Sequence, residues 1–223
     1  MRKTLPTIIP APAMLLLDFI VGIEAPRGYD TIYGNNQDKL PKPLTTMTLG
    51  EVIDAQKSWT KRFKSSAAGG PQFMRQTLID ICTEIPSLRG DMLFDKVLQQ
   101  KLGYHLLLRR GYEKFIAGEL SIVAFGKALA QEWASFPVLA ACKGQERLVE
   151  RGQSYYAGDG LNKSLVAPER VEAMLRKVLA AARQQPIPDE DPPAFPSAPA
   201  PAAKRPLWAI LADLLAKIFG GRK

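Results

Sequence analysis

The chain has 223 residues, a formal net charge of +8 and 46% hydrophobic residues, which allow one domain with an appendage and a sizeable buried core. Two cysteines, Cys82 and Cys142, are too few for a disulfide framework, and no apolar run reaches the roughly eighteen residues of a membrane span. A basic surface favours polyanions, but the scattered lysines and arginines without zinc-finger spacing point away from nucleic acid and towards anionic lipid, lipopolysaccharide or the carboxylate-rich bacterial wall.

Residues 1–10 read as an extended arm. Arg2 and Lys3 before an apolar stretch imitate a secretory signal, but Pro6, Pro10, Pro12 and Asp18 break the pattern, and cleavage at Ala25 would remove Glu24. The first helix is expected over about 13–25, mostly buried. Glu24 closes its apolar run, and an acid at that position has a reason to hold its proton, because burial disfavours the charged form. Glu24 is the candidate catalyst; the competing reading is a solvated helix-end residue.

Gly28, Gly34 and the polar run Asn35 to Asp38, set around Tyr29, Thr31, Ile32 and Tyr33, predict a short hairpin or irregular sheet, after which Pro41 and Pro43 keep the chain extended. Thr48-Leu49-Gly50-Glu51 is a capping box for a helix to about Phe63 that buries Leu49, Val52, Ile53 and Trp59. Its end carries Lys57, Lys61, Arg62 and Lys64, as the helix dipole prefers. Ser65 to Pro71 is a loop of small side chains that lets a ligand approach the backbone, followed by a helix from about Gln72 to Thr83.

Asp95 to Arg110 reads as the next helix, closed by Gly111. It carries His105, the one histidine, which has no partner at metal-ligand spacing, so no metal is expected. A helix from about Leu120 to Ala134 buries Ile122, Val123, Phe125, Leu129 and Trp133. The loop from Gly152 to Gly160 holds Tyr155 and Tyr156, whose faces are suited to stacking on sugar rings or to packing, and Asn162 beyond it is placed to donate to an acetamido group. Pro168 starts a last domain helix to about Arg183, with Val171, Met174, Leu175 and Val178 inward. Residues 184–206 are a semi-rigid proline- and alanine-rich linker. Residues 207–223 are expected to form an amphipathic basic helix, with Leu207, Ile210, Leu211, Leu214, Leu215 and Ile218 on one face and Trp208 and Phe219 widening it, suited to an anionic membrane surface or a partner helix.

Three motifs then stand in order: Gly28-Tyr29-Asp30-x-Ile32-x-Gly34; Ser65-Ser66-Ala67-Ala68-Gly69 before Gln72-Phe73; and Trp133-Ala134-Ser135-Phe136-Pro137. As a set they resemble the lysozyme-like family of phage endolysins, most closely its lambda-type members, which cut peptidoglycan as lytic transglycosylases. The resemblance runs from about Leu15 to about Arg183. It implies a mainly α (α+β) lysozyme-like domain over 1–183 with a small β-hairpin region. It also implies Glu24 as acid and base, Tyr33 and Gln72 as positioning residues, Ser66 in a cleft wall and Trp133 bordering the substrate groove. Tyr155, Tyr156 and Asn162 join as candidate cleft residues. The sequence departs at Gly70-Pro71, where the family usually has an Arg-Tyr pair, which takes a cation and a ring from the expected cleft floor.

Cleaving a β-1,4 glycosidic bond needs an acid at the leaving oxygen, and a hydrolase commonly adds a second carboxylate. The Glu-x8-Asp-x5-Thr pattern of phage muramidases would place Asp and Thr where this chain has Tyr33 and Lys39, so it is absent. Asp30 is the remaining candidate second carboxylate. The expectation is therefore a cofactor-free, monomeric enzyme whose partner is the peptidoglycan glycan strand, made in the bacterial cytoplasm and acting on the wall during phage lysis or infection. Lipopolysaccharide or anionic membrane is the expected partner of the tail. The alternatives are a water-using muramidase with Asp30, and a non-catalytic wall-binding or membrane-disrupting protein.

Overall fold

In the computed structural model, which describes residues 4–160 and 162–184, the helices are α1 (Ala11–Glu24), α2 (Leu49–Phe63), α3 (Arg75–Glu84), α4 (Lys96–Arg109), α5 (Tyr112–Ile116), α6 (Ile122–Glu132) and α7 (Pro168–Gln184). One antiparallel pair, β1 (Cys142–Lys143) and β2 (Leu148–Val149), stands between α6 and α7 with Cys142 opposite Val149. The protein is thus mainly helical with a small two-stranded sheet. All described residues belong to one unit, Met1–Gln185. The expected linker beyond Gln184 and the tail helix over 207–223 lie outside the described residues.

Helix α1 is apolar on nearly every side, so it is enclosed by neighbours instead of resting on them along one stripe. Leu16, Leu17 and Ile20 are fully buried as α1 packs against α4 and α7. Each such side chain contributes about 2 kcal/mol relative to exposure, enough to hold a helix that starts at Pro10 without a side-chain cap. Helix α4 is similarly embedded, burying Leu98, Leu102, Leu106 and Leu107 together with the polar Gln99 and His105. Among the described residues no helix is long and apolar enough to cross a membrane.

Local signals placed several boundaries. Thr48 and Glu51 form both halves of the capping box of α2, Asp95 caps α4 through the Leu98 amide, and Ser121 caps α6 through the Ala124 amide. Elsewhere long-range packing intervenes. The hairpin expected near Gly28 to Asn35 is replaced by short 3-10 turns over Tyr33–Asn35, Gln37–Lys39 and Leu44–Thr46, because Gly34 and Asn35 both take left-handed φ values (66° and 56°) and turn the chain back on itself. Ile32 instead bridges to Ala68. Helix α3 starts at Arg75, not Gln72, since Ala68 and Phe73 exchange both backbone hydrogen bonds (3.1 and 2.8 Å) and Gln72 sits at φ 53° in the turn between them. Helix α5 and the β1–β2 pair are too short for the periodicity of the sequence to predict them. Gly111, at φ 89°, ends α4 and admits α5 at once.

Cys82 and Cys142 are both half-buried and unbridged, and burial pushes the Cys82 thiol up.

Candidate active site

Glu24 is the last residue of α1. The Ala25 amide still donates to the Val21 carbonyl at 2.8 Å, and there the chain leaves the helix, with Ala25 at φ −142° and ψ 68°. Being at the end of an enclosed helix, the carboxyl is half-buried with one oxygen, Oε1, accepting a hydrogen bond from the Ser135 hydroxyl. Burial pushes the Glu24 carboxyl up to about 7, and hydrogen bonds from the Ser135 side chain and backbone act in the opposite direction without cancelling it. Near neutral pH both forms of the carboxyl are therefore populated. A group with that property can give a proton in one step and take one in the next.

Ser135 lies 111 residues from Glu24 along the chain. It follows α6, in a turn closed by the Phe136 amide donating to the Trp133 carbonyl (2.9 Å). The turn is anchored on three sides. The Trp133 indole N–H donates to the Pro71 carbonyl at 3.0 Å, the Leu165 amide donates to the Ser135 carbonyl at 2.8 Å, and the Phe136 ring meets Phe19 of α1 edge-on at 6.0 Å.

The first two motifs are laced to each other. Besides the Ile32–Ala68 bridge, the Tyr33 amide donates to the Ala67 carbonyl (3.0 Å) and the Gly69 amide to the Thr31 carbonyl (2.8 Å). Gln99 of α4 completes the joint: its Oε1 accepts from the Gly70 amide (2.9 Å), while its amide group donates to the carbonyls of Tyr29 (3.1 Å) and Phe94 (2.8 Å). Because Pro71, within the second stretch, also receives the Trp133 indole, the three sequence motifs are linked to one another, and the third reaches Glu24 at the end of α1 through Ser135.

The candidate residues divide accordingly. Glu24 stands with Ser135, and Trp133 is a buried anchor of the same turn, 3% exposed. Tyr33 is 43% exposed on the joined loops. Gln72 folds its amide back onto the carbonyls of Gly69 (2.7 Å) and Thr31 (3.3 Å). Ser66 is buried: its hydroxyl accepts from the Arg75 amide at the start of α3 (3.1 Å), and its carbonyl accepts from Gln56 (2.6 Å). Asp30 accepts the Thr45 amide on Oδ1 at 2.8 Å, which holds the 44–46 turn. Tyr155 and Tyr156 meet edge to face at 5.3 Å; the Tyr156 hydroxyl donates to the Gln131 carbonyl (2.6 Å), and Lys127 approaches the Tyr155 ring at 6.0 Å. Asn162 donates through its backbone and side-chain amides to Asp159. The Tyr156 hydroxyl and the Tyr155 ring thus face α6, the Tyr155 carbonyl accepts from the Gln145 amide (3.0 Å), and Asn162 is held by Asp159 of its own loop.

Gly70 and Pro71 are both buried. A Cβ on Gly70 would stand 2.9 Å from two carbons of the Tyr29 ring, and Pro71 packs against Gly103 of α4. The pair fills a joint between elements. Among the described residues no group of three or more His, Cys, Asp or Glu side chains could hold a metal; His105 pairs with Glu84 at 2.7 Å. Two surface hollows lie elsewhere, one of about 340 Å³ beside Leu93, Val97 and Lys101, and one of about 170 Å³ beside Val123, Lys127 and Leu139; neither is lined by Glu24.

Comparisons with protein-family models, with curated proteins and with solved structures found no match to this chain. The chemistry of the site has to be read from its own residues.

Ser135 is the residue that sequence reasoning passed over. It was visible only as a member of the third motif, since nothing in its neighbours assigns its hydroxyl to a carboxylate so distant in the chain.

Proposed function

We propose that the protein cleaves the β-1,4 glycosidic bonds of peptidoglycan glycan strands as a lytic transglycosylase, on a lysozyme-like domain in which Glu24 is the single acid and base. The observation that carries this reading is a half-buried carboxyl at a helix end, held near pH 7 and fixed at one oxygen by Ser135. The protonated Glu24 gives its proton to the glycosidic oxygen as the bond from C1 breaks and positive charge develops at C1. The resulting carboxylate then takes the proton of the C6 hydroxyl of the same N-acetylmuramic residue while O6 bonds to C1. A 1,6-anhydro ring closes, no water is consumed, and Glu24 is protonated again. Asp30 is already occupied at Oδ1 by the Thr45 amide, which favours a structural role for it over that of nucleophile.

The linkage of the three motifs to one another, and of the third to Glu24, supports the resemblance to lysozyme-like endolysins, and the net charge of +8 suits an anionic wall. The protein would act at the wall during phage lysis or infection, with the tail over 207–223 resting on anionic lipid or lipopolysaccharide. Mass spectrometry of fragments released from purified peptidoglycan tests the chemistry. Anhydro-muropeptides from the intact protein, lost in Glu24→Gln, are the expected result. Reducing-end products would assign a water-using muramidase, and no fragments at all would leave a wall-binding or membrane-active protein.

A further inference from the structure

The contact between Glu24 and Ser135 does more than join two segments. Ser135 is 6% exposed, so its hydroxyl has little access to water as an alternative partner. Its backbone is held by the Leu165 amide, and its turn by the Trp133 indole on Pro71 and by Phe136 against Phe19. A hydroxyl fixed in this way can donate to a carboxylate oxygen, and it can equally donate to the carbonyl oxygen of the protonated acid when the proton sits on the other oxygen. The bond therefore persists through both halves of an acid-then-base cycle.

We propose that Ser135 is a positioning residue for Glu24: by occupying Oε1 throughout the cycle it makes Oε2 the oxygen that delivers and recovers the proton. The proposal rests on the transglycosylase reading for its catalytic meaning, but the Glu24–Ser135 coupling is measurable without substrate. Loss of the hydroxyl leaves only the lesser hydrogen bond from the Ser135 backbone, so the carboxyl is held less firmly and its proton points less consistently at one place, and it removes the larger of the two interactions that favour the charged form.

The test is a carbon-13 titration of glutamate-labelled full-length protein, with Glu24 assigned by its loss in Glu24→Gln, together with the pH profile of glycan-strand cleavage. In Ser135→Ala the Glu24 midpoint is expected to rise by about one pH unit, the alkaline limb of the profile to follow it, and the rate at the optimum to fall about ten-fold. Ser135→Thr, which keeps the hydroxyl, is expected to restore the midpoint and most of the rate. Ser135→Cys, close in size but a weaker donor, carries the same expectation in smaller measure should the alanine variant not fold. An unmoved midpoint in a folded alanine or cysteine variant of an active enzyme would overturn the coupling and leave the enzyme reading standing. A moved midpoint in a protein whose unsubstituted form cuts no glycan would overturn the catalytic role.

Discussion

The indole N–H of Trp133 donates to the carbonyl of Pro71 at 3.0 Å, joining the turn after α6 to the loop before α3 across 62 residues of sequence. Both partners are buried, so the bond cannot be exchanged for one to water. Trp133→Phe keeps an aromatic ring but strands the Pro71 acceptor, and should cost about 1–3 kcal/mol in denaturant unfolding. Because Ser135 lies on the same turn, glycan cleavage should fall further than the lost stability explains. Unfolding that is unchanged within 0.5 kcal/mol, roughly the scatter of a surface substitution, would show the bond to be dispensable.

Glu24 makes stability depend on pH with a definite sign. Its carboxyl titrates near 4.5 when freed from the fold and at about 7 within it, so between those values the folded protein holds a proton that the unfolded chain has released. Stability from this group is complete below about pH 4.5, declines as pH rises, and is lost above about 7, a total on the order of 3 kcal/mol. Glu24→Gln cannot ionise. Its melting temperature should match that of the unsubstituted protein in acid, then exceed it increasingly up to about pH 7 and by a constant margin beyond. Melting curves that stay parallel over the whole range would contradict the elevated carboxyl.

In the proposed mechanism the same proton sets the rate. Cleavage must begin with Glu24 protonated, so above about pH 7 kcat/KM should drop close to ten-fold for each further pH unit. In Asp30→Asn the amide oxygen can still accept from Thr45, and the rate should stay within about three-fold of the unsubstituted protein. A loss of several hundred-fold in that variant, with reducing-end products from the parent, would instead make Asp30 a participant.

Gly70 is under steric control. Substitution by alanine puts a methyl 2.9 Å from the Tyr29 ring and 3.1 Å from Val21 Cγ2, so the ring must move and its hydrogen bond from Gln100 (3.2 Å) is disturbed. Gly70→Ala should destabilise by about 1–3 kcal/mol, measurable by denaturant unfolding. An alanine variant as stable as the parent would mean that the joint around Tyr29 has slack.

Much of the helical framework could be read directly from the chain. The Thr48/Glu51 capping box, the apolar run of α1 ending at Glu24 and the spacing of Val171, Leu175 and Val178 in α7 are determined within a few turns of backbone, where hydrogen bonding and side-chain periodicity act between near neighbours. Glu24 was identifiable for the same reason: the end of an apolar helix is a local property. What the tertiary structure decided was which polar groups meet. Ser135 finds Glu24, Gln99 binds Gly70 and Tyr29, Ser66 accepts the Arg75 amide and Gln72 donates to the Gly69 and Thr31 carbonyls, all through contacts set by the packing of the helices and the two loops. The burial that lifts the Glu24 carboxyl to about 7 arises in that packing, since desolvation comes from every element that closes around a group and not from the residues beside it in sequence.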